Sequence, residues 1–319
     1  MGTSPAPIEV RGLTKRFGSV LAVDGVDFAV HPGTVTGFLG PNGAGKTTTL
    51  RMLVGLVRPT AGQALVRGVP YRELADPLRT VGAVLEASGF HPARTARQHL
   101  RSVARVAGIS DARAEEVLGI VGLADSATRR VGGYSLGMRQ RLQLAQALLG
   151  DPEILILDEP ANGLDPQGIA WIRGFLRWYA SLGRVVLVSS HLLAEASQTV
   201  DDLIVLAAGR VVGRGPLQEL LAGARGSVRV RTPDAERLLA VLAAGGIAAH
   251  QAAAGVVVAD ATSPEKVGPL MAEHRIVVYE MSSSGDSLEE LFFSLTEGAG
   301  MGGFSDVATG PHGRTETAT

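Results

Sequence analysis

The stretch Gly40-Pro41-Asn42-Gly43-Ala44-Gly45-Lys46-Thr47 joins an apolar run at residues 34–39 to a segment with helical spacing at residues 46–57. It matches the pattern G-x-x-x-x-G-K-[ST], in which backbone N–H groups curl around a phosphate at a helix N-terminus. Lys46 can reach the terminal phosphates of a nucleotide, and Thr47 can offer its hydroxyl to Mg2+. A glycine-rich turn that only caps a helix is the alternative. We therefore predict a strand, a phosphate-binding loop that extends to Thr48, and a helix.

Two adjacent carboxylates, Asp158 and Glu159, follow an apolar run at residues 154–157. Ligands bind at the carboxyl ends of strands in parallel sheets. Asp158 can hold Mg2+ directly or through water, and Glu159 can polarise an attacking water as a general base. Two solvated acids at a strand end are the alternative, but the phosphate loop in the same chain favours a catalytic role.

The apolar pattern predicts a mixed α/β domain over residues 6–222. Residues 154–157 and 185–188 are all-apolar runs too short for buried helices, and a helix-like segment at residues 167–182 separates them. This order is typical of buried parallel strands joined by a crossover helix.

Other parts of this domain have different patterns. The first 33 residues and residues 203–213 have the pattern of antiparallel strands with tight turns. Residues 95–150 carry apolar side chains at three-to-four spacing, with breaks near Gly108 and Gly132. We predict that they form a helical insert.

A second pattern follows at residues 223–297 and predicts a small α+β domain of the ferredoxin-like order β, α, β, β, α, β. The predicted elements are a strand at 227–231, a helix at 234–244, a strand at 255–258 with a partner just before it, a helix at 264–274 and a strand at 276–279. Residues 298–319 are rich in Gly, Ser and Thr without apolar periodicity, so we predict a disordered tail.

Length and composition exclude several classes of protein. A chain of 319 residues suits two domains at about 150 residues each. Thirty basic residues against 31 acidic ones leave a net charge of -1, so we expect no nucleic-acid partner. The absence of cysteine excludes disulfides, thiolate metal sites and cysteine nucleophiles. The longest apolar run, residues 238–249, is too short to cross a bilayer, and we expect a cytoplasmic location.

Residues 8–222 resemble the ATP-binding cassette (ABC) family. The stretch Tyr134-Ser135-Leu136-Gly137-Met138-Arg139-Gln140-Arg141 is similar to the family's signature sequence. In the family this sequence serves the ATP of the partner subunit, which here implies roles for Ser135 and Gly137; Ser135 is also a good N-cap.

The same resemblance implies roles for three further residues. Gly163-Leu164-Asp165 resembles the loop that crosses the dimer interface, and His191 resembles the switch histidine that contacts the γ-phosphate. Phe17 stands where the family stacks an aromatic ring on adenine.

Two departures from the family pattern concern the ATP site. Glu86 stands where the family usually has the glutamine of the loop before the insert, so an acid replaces a neutral amide near metal and phosphate. Glu86 could still orient water or bind Mg2+, or it could be a surface acid. The signature has Leu136 and Met138 where glycine and glutamine are most common.

The family implies an ATPase that dimerises head to tail around two MgATP molecules and drives a separate integral membrane permease, which places it at the inner face of the membrane. Residues 287–296 resemble the ending of drug- and antibiotic-export subunits, although a plain amphipathic helix has the same pattern. The alternative function is a cassette ATPase of translation or repair. A GTPase is disfavoured because no Asn-Lys-x-Asp motif occurs. The C-terminal unit could also be a ligand-sensing module.

Overall fold

The structure is a computed structural model that describes residues 6–85, 89–191, 196–223, 227–260 and 262–284, together with Phe292 and Leu295. Its strands are β1 (Ile8–Phe17), β2 (Val20–Val30), β3 (Val35–Leu39), β4 (Ala61–Val66), β5 (Val81–Val84), β6 (Ile154–Asp158), β7 (Val185–Ser190), β8 (Asp202–Ala207), β9 (Arg210–Pro216), β10 (Ser227–Arg231), β11 (Ala249–Ala253), β12 (Val256–Ala259) and β13 (Glu280–Ser284). Its helices are α1 (Lys46–Leu53), α2 (Pro77–Thr80), α3 (Ala96–Val106), α4 (Asp111–Ile120), α5 (Leu136–Ala147), α6 (Pro166–Ser181), α7 (Leu217–Gly223), α8 (Ala235–Ala244) and α9 (Pro264–Glu273).

A six-stranded sheet of order β5-β6-β7-β3-β8-β9 forms the centre of the first domain. Strands β5, β6, β7, β3 and β8 are parallel, and β9 pairs antiparallel to β8. A separate antiparallel sheet, of order β2-β1-β4, covers one side. The mixed α/β fold predicted from the apolar runs is therefore confirmed, with the carboxyl ends of β3, β6 and β7 at one edge.

Strand β6 shows why an all-apolar run forms a central strand. Ile154 and Ile156 are buried in a cluster that also contains side chains of β1, β2 and α1. Leu155 and Leu157 are buried on the opposite face, in a cluster with α3 to α6. Because successive side chains alternate between faces, a strand covered on both sides needs apolar residues at every position.

The predicted insert contains α3, α4 and α5. Thr95 and Gln98 form a capping box at the start of α3. The Arg97 side chain on α3 donates to Glu115 on α4 at 2.8 Å, which ties these two helices together. In the part of the chain that the structure describes, no helix has both the length and the apolar content needed to span a membrane.

Strands β10 to β13 form a four-stranded antiparallel sheet of order β11-β12-β10-β13. With α8 and α9, the elements follow in the order β, α, β, β, α, β. Its core is a separate cluster that includes Val228, Leu238, Val257 and Val267.

The last strand of this sheet differs from the prediction, since it spans Glu280–Ser284 rather than residues 276–279. Two side chains hold Val277 outside the ladder. Its N–H donates to Asp234 Oδ2 at 3.1 Å, and its carbonyl accepts from Thr232 Oγ1 at 2.6 Å. Helix α1 is also shorter than its apolar spacing predicts: it ends at Leu53, and Gly55 takes a left-handed φ of 72°.

Leu295 follows the small domain in sequence but packs against the first domain. Its side chain is partly buried on the cluster that contains Leu217 and the helices of the insert. It lies so near Gly213 of β9 that a Cβ at Gly213 would come within 2.7 Å of Leu295 Cδ1. Most of the predicted segment at residues 287–296 and the whole tail at residues 298–319 lie outside the described residues.

Candidate functional site

The phosphate loop connects β3 to α1, as predicted. Gly43 and Gly45 have φ values of 83° and 101°, which side-chain-bearing residues rarely adopt. A Cβ at Gly45 would lie 2.5 Å from the Ala22 carbonyl oxygen, and one at Gly40 would lie 2.5 Å from that of Leu206. The glycines are therefore needed both for the turn and for its close packing against neighbouring backbone.

Lys46 folds back over this loop at the first turn of α1. Its Nζ donates to the Gly40 carbonyl at 2.7 Å and to the Pro41 carbonyl at 3.3 Å. The residue is only 6% exposed. Its charge is therefore held at the loop, where an anionic ligand would meet it.

Thr47 and Asp158 join the phosphate loop to the end of β6. The Thr47 hydroxyl donates to Asp158 Oδ2 at 2.6 Å. The strand end and the helix start predicted to share a metal thus lie within one hydrogen bond of each other.

Glu159 lies between the phosphate loop and β7. Its Oε1 is 3.4 Å from Lys46 Nζ, and its Oε2 is 2.7 Å from His191 Nδ1. Glu159 also has a left-handed φ of 51°. This conformation is costly for a residue with a side chain and persists only where the surroundings hold it.

Lys46, Thr47, Glu159 and His191 line one cavity of about 300 Å³. Its lining consists of residues 41–48 of the phosphate loop with Glu159, Asn162 and His191. Of the residues predicted to act on the terminal phosphate, Lys46, Glu159 and His191 are therefore brought together. A second, larger cleft of about 660 Å³ lies between the insert and the carboxyl end of β6.

Ser135 and Gly137 line this second cleft and not the phosphate-loop cavity. Ser135 is the N-cap of α5, and its Oγ accepts from the Met138 N–H at 3.3 Å, as expected from its sequence position. Gly137 lies close to Leu164, since a Cβ there would be 3.3 Å from Leu164 Cδ2. The signature residues thus line a cleft that does not include the phosphate loop, although Asp158 and Glu159 line this cleft as well.

Asp165 also lines the second cleft, and it caps α6 by accepting from the Gly168 N–H at 2.8 Å. Near it, Arg141 lies over the Trp171 ring, with 4.2 Å from Cζ to the centroid. Burial lowers the pKa of the Arg141 guanidinium, and the charge of Asp165 acts in the opposite direction. This carboxylate is therefore both a helix cap and a local counter-charge.

The adenine-stacking position predicted for Phe17 lies away from both cavities. Phe17 ends β1 and is 50% exposed, with Lys15 Nζ 4.8 Å from its ring centroid. It lines neither of the cavities described above. Glu86 lies outside the described residues, and its predicted role stays a prediction.

The sequence analysis assigned no role to three residues at the site, namely Ser189, Gln140 and Asn162. Ser189 on β7 bonds to both Asp158 and the Glu159 backbone. Gln140 on α5 donates to the Asn162 carbonyl at 2.9 Å, which connects the signature helix to the loop after β6. A signal for Ser189 was present, because it is a hydroxyl residue at the end of an otherwise apolar buried strand.

Comparisons with known proteins show the family to which the chain belongs. A family described as "ABC transporter" matches residues 23–162, and one described as a domain of unknown function (DUF8746) matches residues 226–289. The bacitracin transport ATP-binding protein BcrA of Bacillus licheniformis is 37% identical over 302 residues, which cover 92% of this chain and 99% of that protein. The Nod factor export ATP-binding protein I of Burkholderia lata is 40% identical over 238 residues, covering 72% and 78% of the two chains.

A solved structure of an ATP-binding subunit of an ABC transporter is also similar. It has a TM-score of 0.61 and 28% identity, and the match covers 68% of this chain and 92% of that one. Together with the site, these matches identify the class of protein. The chain belongs to the ABC transporter ATP-binding family and is a nucleotide-binding ATPase.

Proposed function

We propose that this chain is the ATP-hydrolysing subunit of an exporter and binds MgATP in the phosphate-loop cavity. The observation that carries the proposal is that Lys46, Glu159 and His191 meet at one cavity beside the pair formed by Thr47 and Asp158. Positive charge, a hydroxyl and a base next to a glycine-rich helix start are the parts that phosphoryl transfer needs.

The donor set fits Mg2+. Thr47 contributes a hydroxyl and Asp158 a carboxylate, and these two already lie within a hydrogen bond of each other. Mg2+ is usually held by one or two carboxylates together with substrate phosphates and water. Bound there, it would neutralise charge that develops on the phosphate oxygens.

Glu159 is the proposed base that accepts a proton from the attacking water. In the structure its carboxylate bonds to His191 and lies beside Lys46. An incoming anionic phosphate would pair with Lys46 in place of Glu159. Glu159 Oε1 would then be available to accept a proton from the attacking water. His191 keeps the carboxylate oriented through Oε2 while this exchange occurs.

The second cleft supports a head-to-tail dimer. Ser135 and Gly137 at the N-terminus of α5 are suited to a phosphate, since backbone N–H groups at a helix start bind anions. They line a cleft other than the cavity that contains Lys46. Two chains facing each other would therefore place the α5 start of one against the phosphate loop of the other.

A separate membrane permease, docked on the helical insert, completes the proposed system. The chain would then lie on the cytoplasmic face of the membrane. Two relatives support export: one is named for bacitracin transport and matches almost end to end, and another for Nod factor export. We propose a drug or antibiotic substrate class on this basis.

The experiment is affinity purification of the tagged chain from its own host, in parallel from detergent-solubilised membranes and from the cytosolic fraction. The proposal predicts co-purification of one membrane protein with about six apolar segments of about 20 residues. ATP hydrolysis by that complex should be lost with Lys46→Ala. Recovery of ribosomes or DNA, with no membrane protein, would instead support an ATPase of translation or repair.

A further inference from the structure

Ser189 occupies the position on β7 directly opposite Asp158 on β6. The parallel register pairs these two residues. Ser189 is fully buried. It is polar, whereas the four buried residues before it in β7 are apolar. A buried hydroxyl in a central strand needs partners, because an unsatisfied polar group there is destabilising.

Both partners of Ser189 belong to the carboxylate pair. Its hydroxyl donates to Asp158 Oδ1, and its Oγ accepts from the Glu159 N–H at 3.0 Å. The other oxygen of Asp158 accepts from Thr47 at 2.6 Å. The two oxygens of Asp158 are therefore fixed separately, one by the neighbouring strand and one by the phosphate loop.

The bond to the Glu159 N–H acts on a strained residue. Glu159 has a φ of 51°, and from this conformation its carboxylate contacts both Lys46 and His191. A peptide held in a sparsely populated region persists only where its surroundings define it. Ser189 supplies the hydrogen bond at the peptide between Asp158 and Glu159.

We propose that Ser189 is a positioning residue that sets the direction of both carboxylates. Its hydroxyl proton fixes the rotation of Asp158, so that Oδ2 stays with Thr47 for the metal. The Oγ of Ser189 accepts from the Glu159 N–H and so holds the Asp158–Glu159 peptide. In this orientation the Glu159 carboxylate points into the phosphate-loop cavity. The inference rests on the proposed roles of Asp158 with Mg2+ and of Glu159 as base.

The test is Ser189→Ala, with Thr36→Val as the matched control. Thr36 is a buried residue on β3, 2% exposed, and its substitution also removes a buried hydroxyl from the central sheet. The measurements are the melting temperature, ATP affinity with and without Mg2+, and the turnover number as a function of Mg2+ concentration.

We expect Ser189→Ala to lower turnover at least about tenfold and to raise the half-saturating Mg2+ concentration at least about threefold. ATP affinity in EDTA should stay within about twofold, because the loop glycines and Lys46 bind the phosphates independently of Ser189. Thr36→Val should change none of these quantities beyond about twofold. If Ser189→Ala melts too low to assay, Ser189→Cys keeps the shape with a weak donor and is expected to shift the same two quantities.

Unchanged turnover and unchanged Mg2+ dependence in Ser189→Ala would overturn the inference. Glu159→Gln measured in the same assay separates this failure from a failure of the proposed function. If Glu159→Gln is inactive while Ser189→Ala behaves as wild type, only the role of Ser189 is wrong. If Glu159→Gln turns over at the wild-type rate, the base itself has been wrongly assigned.

Discussion

The carboxylate of Glu159 lies 3.4 Å from the ammonium of Lys46, measured from Oε1 to Nζ. Its other oxygen is 2.7 Å from His191 Nδ1. The proposed base is thus held between Lys46, which is proposed to bind the terminal phosphate, and His191, which is proposed to orient the carboxylate. Before nucleotide binds, Glu159 supplies the negative charge that ATP must replace.

Removing this charge should strengthen ATP binding. Glu159→Gln leaves Lys46 without its carboxylate neighbour, so ATP no longer has to break that ion pair. We expect ATP affinity in EDTA, where no hydrolysis occurs, to rise about threefold, the scale of a partly exposed ion pair. Equilibrium titration with a fluorescent ATP analogue measures it. Weaker binding by Glu159→Gln than by wild type would show that Glu159 does not compete with the nucleotide.

Loss of Lys46 should abolish catalysis and leave the fold intact. In Lys46→Ala the charge that would meet the transferring phosphoryl group is missing. We expect at least about a hundredfold loss of turnover, on the order of 3 kcal/mol. Because the ammonium group bonds to loop carbonyls and pairs with Glu159, and belongs to no apolar cluster, melting should change little. Parallel ATPase and melting measurements decide this, and wild-type turnover in the variant would contradict the phosphate-loop assignment.

Asp165 should contribute to stability through its cap on α6. The carboxylate accepts from the Gly168 N–H at 2.8 Å. Asp165→Ala should therefore destabilise the chain by about 1 kcal/mol, whereas Asp165→Asn keeps a capping side chain and should cost only a fraction of that. Urea unfolding measures both. Equal losses in the two variants would assign the effect to charge rather than to the cap.

Leu295 should stabilise the cassette although it follows the small domain. Its side chain packs on the cluster beside α7 and contacts Gly213. Leu295→Ala should cost about 1 to 2 kcal/mol, less than a full core truncation, because the side chain is only partly buried. Leu295→Met, which keeps the volume, is the control. An unchanged unfolding midpoint in Leu295→Ala would mean that the contact contributes nothing.

Truncation after residue 297 should leave the unfolding midpoint unchanged. The composition of residues 298–319 cannot bury enough apolar area to offset the entropy of ordering them. Thermal melting of the shortened chain is the measurement. A fall of several degrees would contradict the prediction of a dispensable tail.

The central sheet could be predicted because strands buried on both faces have an unmistakable pattern. Ile154 and Leu155 lie on opposite faces and are both fully buried, so the whole run is apolar. The last strand begins later than its apolar pattern predicts, because the residues that decide its start lie elsewhere in the chain. Val277 is apolar and β-branched, but side chains of Thr232 and Asp234 bind its backbone and keep it out of the ladder.

The parts of the site that could be predicted are those that a short local motif determines. The spacing from Gly40 to Thr47 defines a loop, and Asp158 follows a recognisable strand. The role of Ser189 depends on the register between β6 and β7, which no local pattern records. The contact between Glu159 and Lys46 depends likewise on the φ of one residue, and sequence alone could not supply it.

The most direct test of the central claim, a head-to-tail sandwich around ATP, is the mass of Glu159→Gln in MgATP by size-exclusion chromatography with light scattering. Without a working base, bound ATP should persist and hold two chains of 33.1 kDa together. The dimer should dissociate when ATP is withdrawn, and adding Ser135→Arg should prevent it by placing a bulky cation at the partner's phosphate. A monomer that has bound MgATP, both alone and with the membrane partner in detergent, would contradict the account.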